Sequence, residues 1–153
     1  MQDLLTVKRR LYELCQGYLE KRAQSIRTAL EEAQTAANEE TKSSAGDKHE
    51  TGRAMMQLET EKLGAQLQEV LREQEKLHRI RHDAHCRVVE PGALVITDSL
   101  QLYFTVSAGK LVLDGEEYFA LSAQTPLGKV ALGKNEGDRF ALQQQQYLIR
   151  KIS

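Results

Sequence analysis

From Leu4 to Ala37 the chain contains no proline, and its only glycine is Gly17. Over that stretch Leu4, Leu11, Leu14 or Cys15, Tyr18 or Leu19, Ile26, Ala29 or Leu30, Ala33 and Ala37 recur at spacings of three and four. This period puts apolar groups along one face of a helix. The stripe is interrupted near Arg22, and such a helix leaves its other face in water, which suits a paired hairpin better than a buried core helix. The polar run Thr41-Lys42-Ser43-Ser44-Ala45-Gly46 predicts a turn. Asp47 and Glu50 stand at capping-box spacing and open a second helix. Met55, Leu58, Leu63, Leu67, Val70 or Leu71, Leu77 and Ile80 form its apolar face, with Gly52 and Gly64 as weak points. An element of some 35 residues is roughly 50 Å long. Helices this polar need a partner to stay ordered, and the nearest partner is each other. Self-association into a larger bundle, or parallel dimerisation of a coiled-coil adaptor through Leu63, Leu67 and Val70, is the competing use of the same pattern.

After Arg87 the character changes. Pro91-Gly92 closes the helical region, and short apolar runs bounded by turn residues follow. Strands are predicted at Ala93 to Thr97, Leu100 to Ser107, Lys110 to Leu113, Glu117 to Ser122, Arg139 to Gln143 and Tyr147 to Ile152. Asp98-Ser99, Ala108-Gly109 and Asp114-Gly115 are the turns between them, and the last favours a two-residue hairpin. Thr125-Pro126, with Gly133 as a stop, predicts a short helix. The expected fold is α+β: an antiparallel coiled-coil helical hairpin over residues 1–88, then an antiparallel β domain with a short helix over residues 89–153.

Charge bounds the function. Lys and Arg total 21 against 22 Asp and Glu, a balance that argues against a general electrostatic grip on nucleic acid. With no Trp, only three Phe and a mean hydropathy of -0.51, much of the chain is expected in solvent-washed elements. Cys15 and Cys86 lack a CxxC context and read as reduced packing residues. The opening MQDLLTVKRR lacks the apolar core of a signal peptide, and no stretch has the length of a membrane span. A soluble, cytoplasmic monomer that does not touch membranes is expected.

Between Glu31 and Glu50 six acids (Glu31, Glu32, Glu39, Glu40, Asp47, Glu50) face two bases, Lys42 and Lys48, for a formal charge of minus four. Exposed carboxylates can supply one or two ligands to Mg²⁺ when another molecule supplies the rest. The bland use of the same acids is a solvated helix face and a helix cap. On a continued helix His78 and His82 share a face with Cys86 a turn further on, but cationic neighbours suit a helix C-terminus without any metal. GxSxG, GxxxxGK[ST] and HExxH are all absent, so the chain carries no recognisable catalytic set of its own.

Ser122 to Arg139 reads SAQTPLGKVALGKNEGDR. This closely resembles the C-terminal domain of the bacterial Gre family of transcript cleavage factors, in which serine, proline-leucine-glycine, a basic residue, a small apolar run, glycine-lysine and glycine-aspartate occur in this order. Pro91-Gly92-Ala93-Leu94-Val95 and Tyr118 to Leu121 are similar to that domain's opening and central strands, and a helical hairpin precedes it in the family as here. The resemblance implies an FKBP-like domain that docks on RNA polymerase at its secondary channel. Pro126, Leu127, Gly128 and Lys129 would lie at the docking surface. The hairpin would carry acids toward the catalytic Mg²⁺ and the RNA 3′ end, with the tip acids Asp47, Glu50, Glu39 and Glu40 as candidates. Asp47 and Glu50 would share a Mg²⁺ with the polymerase, which itself cuts the RNA; no cofactor is held stably by the chain alone. Cleavage-competent members carry Asp-Leu-Ser-Glu-Asn at the tip, where this chain has Ala45-Gly46-Asp47-Lys48-His49-Glu50. Acid-x-x-acid spacing is kept, while the changed setting also fits a noncatalytic regulator or inhibitor at the same entrance. An FKBP-like fold does not by itself imply prolyl isomerase activity.

Overall fold

A computed structural model describes residues 3–42 and 48–153, and the side chains within them apart from those of residues 40–42 and 48–51. Helix α1 spans Leu4–Lys42 and helix α2 spans Lys48–Arg79, and they pair as an antiparallel hairpin. Strands β1 (Leu94–Thr97), β2 (Gln101–Phe104), β3 (Gly109–Leu113) and β4 (Glu116–Leu121) follow, then the short helix α3 (Pro126–Ala131) and strands β5 (Arg139–Leu142) and β6 (Gln145–Ile152). The fold is α+β. The chain divides into two compact units, Leu19–Gln74 and Met1–Tyr18 with Glu75–Ser153.

Within the unit Leu19–Gln74, Leu19, Ala23 and Ile26 are buried from α1, and Leu63 and Val70 from α2. Leu63 and Val70 are one heptad apart, the spacing of a coiled-coil seam. Gln74 Nε2 donates to Glu20 Oε2 across the pair at 3.3 Å. The seam differs from the expected stripe in detail. Ala23 rather than Arg22 takes the inward seat, because a small side chain lets two helices approach where a guanidinium would have to be desolvated. Met55 and Leu58, expected on the apolar face of α2, are each 66% exposed.

In the other unit a six-stranded sheet has the order β3-β4-β2-β1-β6-β5. All its pairings are antiparallel except β2 with β4, where Leu102, Tyr103 and Phe104 run parallel to Phe119, Ala120 and Leu121. The antiparallel β domain expected from the turns thus carries one parallel pairing. The β3–β4 hairpin turns at Asp114-Gly115, both at positive φ as a two-residue primed turn requires. Its second strand, richer in buried side chains, takes the inner place beside β2 and leaves the alternating β3 at the edge.

Both faces of the central strands are covered, which is why β1 and β2 read as continuous apolar runs. On one face Val95, Leu102, Phe104, Leu121, Phe140, Tyr147 and Ile149 form the core with Val89 and with Ala131 of α3. The Phe140 and Tyr147 rings stack with centroids 5.0 Å apart. Tyr103, on the alternate face of β2, is fully buried near Tyr12 and Cys15. The first turns of α1 therefore belong with the sheet, and Val7, Leu11, Tyr12 and Cys15 are buried there.

The expected helical region to Arg87 stops at Arg79. No proline or glycine ends it. Instead Tyr12 Oη donates to the carbonyl of Leu77 at 3.1 Å, and the Tyr12 ring stacks on His82 at 3.9 Å. The same carbonyl accepts from Ile80 N at 3.1 Å, an i→i+3 bond that tightens the final turn. His78, His82 and Cys86 consequently do not share a helix face.

Candidate functional site

Helix α3 is built by its flanking residues. Thr125 adopts an extended backbone, its Oγ1 accepts from Gly128 N at 3.1 Å and donates to Ser122 O at 2.8 Å. Pro126 occupies the first helical turn, where its missing N–H costs nothing. The four docking residues implied by the resemblance divide by role. Pro126 and Lys129 are exposed, Leu127 is half-buried and packs on the core, and Gly128 is buried. A Cβ on Gly128 would lie 2.8 Å from Ala123 Cα and closer still to the Ser122 carbonyl. Gly128 thus sets how tightly α3 sits on the preceding loop, while Pro126 and Lys129 offer side chains to a partner.

Of the acids expected at the hairpin end, Glu39 is exposed on α1, and Glu31 and Glu32 are exposed on the same helix. Thr28, Glu31, Glu32, Thr35, Ala36 and Glu39 border one shallow groove of its surface. Asp47 lies outside the described residues, as do the side chains of Glu40 and Glu50. Among the described residues no three His, Cys, Asp or Glu side chains gather as metal ligands. No helix among them is long and apolar enough to cross a membrane.

Sequence reading missed a second feature, in the unit that contains the sheet. A cavity of about 530 Å³ opens between the end of α2, the segment Arg81–Cys86, Phe104-Thr105 and the loop Ser122–Gln124 that leads into α3. Beside it Lys8 is completely buried, its Nζ donating to Ala84 O at 2.7 Å and lying 3.7 Å from Cys86 Sγ. Desolvation lowers the Lys8 pKa, partly offset by Cys86 and Glu90, and burial raises that of Cys86. His85 Nδ1 is 2.6 Å from Ser153 Oγ. Nothing local signals this cluster, since Lys8 and Ala84 are 76 positions apart.

No protein-family model matches the chain, and no curated protein sequence matches it.

Proposed function

We propose that this chain is a Gre-like elongation factor that binds bacterial RNA polymerase at the secondary channel and directs the acidic end of its helical hairpin toward the catalytic Mg²⁺. The observation that carries the reading is the stretch SAQTPLGKVALGKNEGDR, which runs from the end of β4 through α3 to the start of β5 in a sheet domain preceded by a helical hairpin. The exposed Pro126 and Lys129 on α3 support a docking role for this edge. The physical logic is one of access: a domain bound outside the enzyme influences buried phosphoryl chemistry only if a narrow element brings charge to it. The polymerase performs the hydrolysis, and the chain contributes carboxylates that favour a second Mg²⁺ and an oriented water.

The test is hydrolysis of a backtracked transcript by core polymerase, with the intact protein and with Asp47→Ala/Glu50→Ala. Stimulation of roughly tenfold or more, lost in the double variant, is expected from two lost carboxylate contacts. Equal stimulation by both proteins removes these acids from the mechanism. A noncatalytic regulator at the same site is the second reading, favoured by Lys48 and His49 standing between the two acids. Intact protein that competes for the polymerase without stimulating hydrolysis would establish it. Binding should be one-to-one and weakened by Lys129→Glu. Failure of both forms to bind core polymerase defeats the proposal.

A further inference from the structure

We propose that Cys86 and Lys8 form an oxidative modification site, in which a small peroxide oxidises the Cys86 sulfur and the Lys8 amine then captures it in a covalent sulfur–nitrogen bond. This goes beyond the polymerase reading and does not depend on it. Lys8 Nζ lies 3.7 Å from Cys86 Sγ, although the two residues are 78 positions apart. A lysine at the surface keeps its ammonium in water and sweeps many positions. Lys8 does not: it is completely buried, and its Nζ is also held by the Ala84 carbonyl at 2.7 Å. The fold thus keeps an amine beside this one thiol.

Access separates the two cysteines. Cys86 is half-buried and lines the cavity of about 530 Å³, together with Ala84 and Glu90. A peroxide little larger than water needs only a small part of that space. Cys15 is fully buried, which keeps the same oxidant from it. Two charged groups act on the Cys86 thiol: Glu90 accepts its hydrogen bond, and Lys8 favours the thiolate. Burial outweighs Lys8 and holds the proton on sulfur, so mildly alkaline solution favours attack on the peroxide. The same conditions suit the partner, since desolvation eases loss of the Lys8 proton and frees its lone pair.

The reaction has two balanced steps. The Cys86 sulfur attacks hydrogen peroxide and the O–O bond breaks; one oxygen stays on sulfur as the sulfenic acid, and the other leaves as water with the thiol proton. Sulfur is oxidised by two electrons and the peroxide is reduced by two. The neutral Lys8 amine then attacks that sulfur and the S–O bond breaks. The departing hydroxide takes a proton from nitrogen and leaves as a second water. Sulfenic acids condense with nitrogen in this way when the nitrogen is held against them, because a tethered partner acts at high effective concentration. The product joins the first turns of α1 to the irregular segment after α2, both in the unit that contains the sheet.

The experiment treats the full chain with hydrogen peroxide in mildly alkaline buffer, digests it without reductant and maps the peptides by mass. A linked peptide pair carrying Lys8 and Cys86, two hydrogens lighter than its parts and separated again by dithiothreitol, is expected. Cys86→Ser and Lys8→Met should each abolish it, while Lys76→Met, which removes the other amine lining the cavity, should leave its yield unchanged. Unfolding in urea before the peroxide is added should lower the yield about tenfold or more, because the two groups are then no longer held together. Should Lys8→Met fail to fold, the maps of the native and urea-unfolded parent chain decide. Conversion of Cys86 to its sulfinic acid with Lys8 unmodified, a link to Lys76 instead, or an equal yield from the unfolded chain would each overturn the proposal. Because no polymerase is present, the outcome is separate from the fate of the elongation-factor reading.

Discussion

Cys15 and Lys8 lie in the same buried stretch of α1, yet their ionisation pulls stability in opposite directions with pH. Burial pushes the Cys15 thiol up to about 12. The folded chain therefore keeps this proton in a range where the unfolded chain releases it. Its contribution is present in full below the ordinary thiol range and is lost as pH rises toward 12. The Lys8 shift is downward, so the unfolded chain holds more protons just below the ordinary lysine value and stability rises with pH there. Between about pH 9 and about pH 11 the free energy of unfolding should fall less steeply in Cys15→Ala than in the parent, by up to about 1.4 kcal/mol per pH unit. Urea titrations across that range measure the two slopes, and identical slopes would show that the thiol does not titrate differently on folding. Cys15 was readable from sequence as a packing residue because it falls on the apolar stripe. Lys8 was not, since a lysine on a helix ordinarily reaches water, and here the carbonyl of Ala84 and the Cys86 sulfur hold it inside.

The elements give one substitution two opposite signs. Gly64 sits within α2 and has nothing within 4 Å of the position a Cβ would take. Gly64→Ala should stabilise the hairpin by about 0.5–1 kcal/mol, since glycine loses more freedom than alanine on entering a helix. Gly128 in α3 meets the Ser122 carbonyl and Ala123 at once, so Gly128→Ala should cost about 1–3 kcal/mol through forced separation of α3 from its loop. Thermal unfolding followed separately by helical signal and by tyrosine signal checks both, and the same sign at both glycines would refute the packing account. Helix and strand positions were largely legible because their periods are strong, and Asp114-Gly115 announced its turn. The β5–β6 turn was not legible: Gln143 and Gln144 both take positive φ without a glycine between them. Pairing in the sheet overrides their local preference for negative φ.

For the whole molecule, the distribution of the core matters more than the order of parts along the chain. Val7, Leu11, Tyr12 and Cys15 are buried in the unit that contains the sheet. Each large apolar side chain removed from a core costs about 2–5 kcal/mol, and a domain's entire stability is about 5–15 kcal/mol. A chain lacking its first 18 residues should therefore lose the cooperative unfolding of the sheet, observed in urea by the near-ultraviolet signal of its tyrosines. Unfolding at an unchanged urea concentration would mean that the sheet supports itself.

By itself the sequence determined two long helices, six strands and a short capped helix, because hydrophobic period, turn chemistry and capping all act over a few residues. It also placed Pro126 and the glycines of the α3 region, whose types answer local backbone needs. Only tertiary structure decided that α2 ends at Arg79, that β4 enters beside β2, and that Lys8, Cys86 and Thr105 gather around one cavity. Those outcomes depend on contacts between groups far apart in the chain, and their energies exist only once the backbone has brought them together.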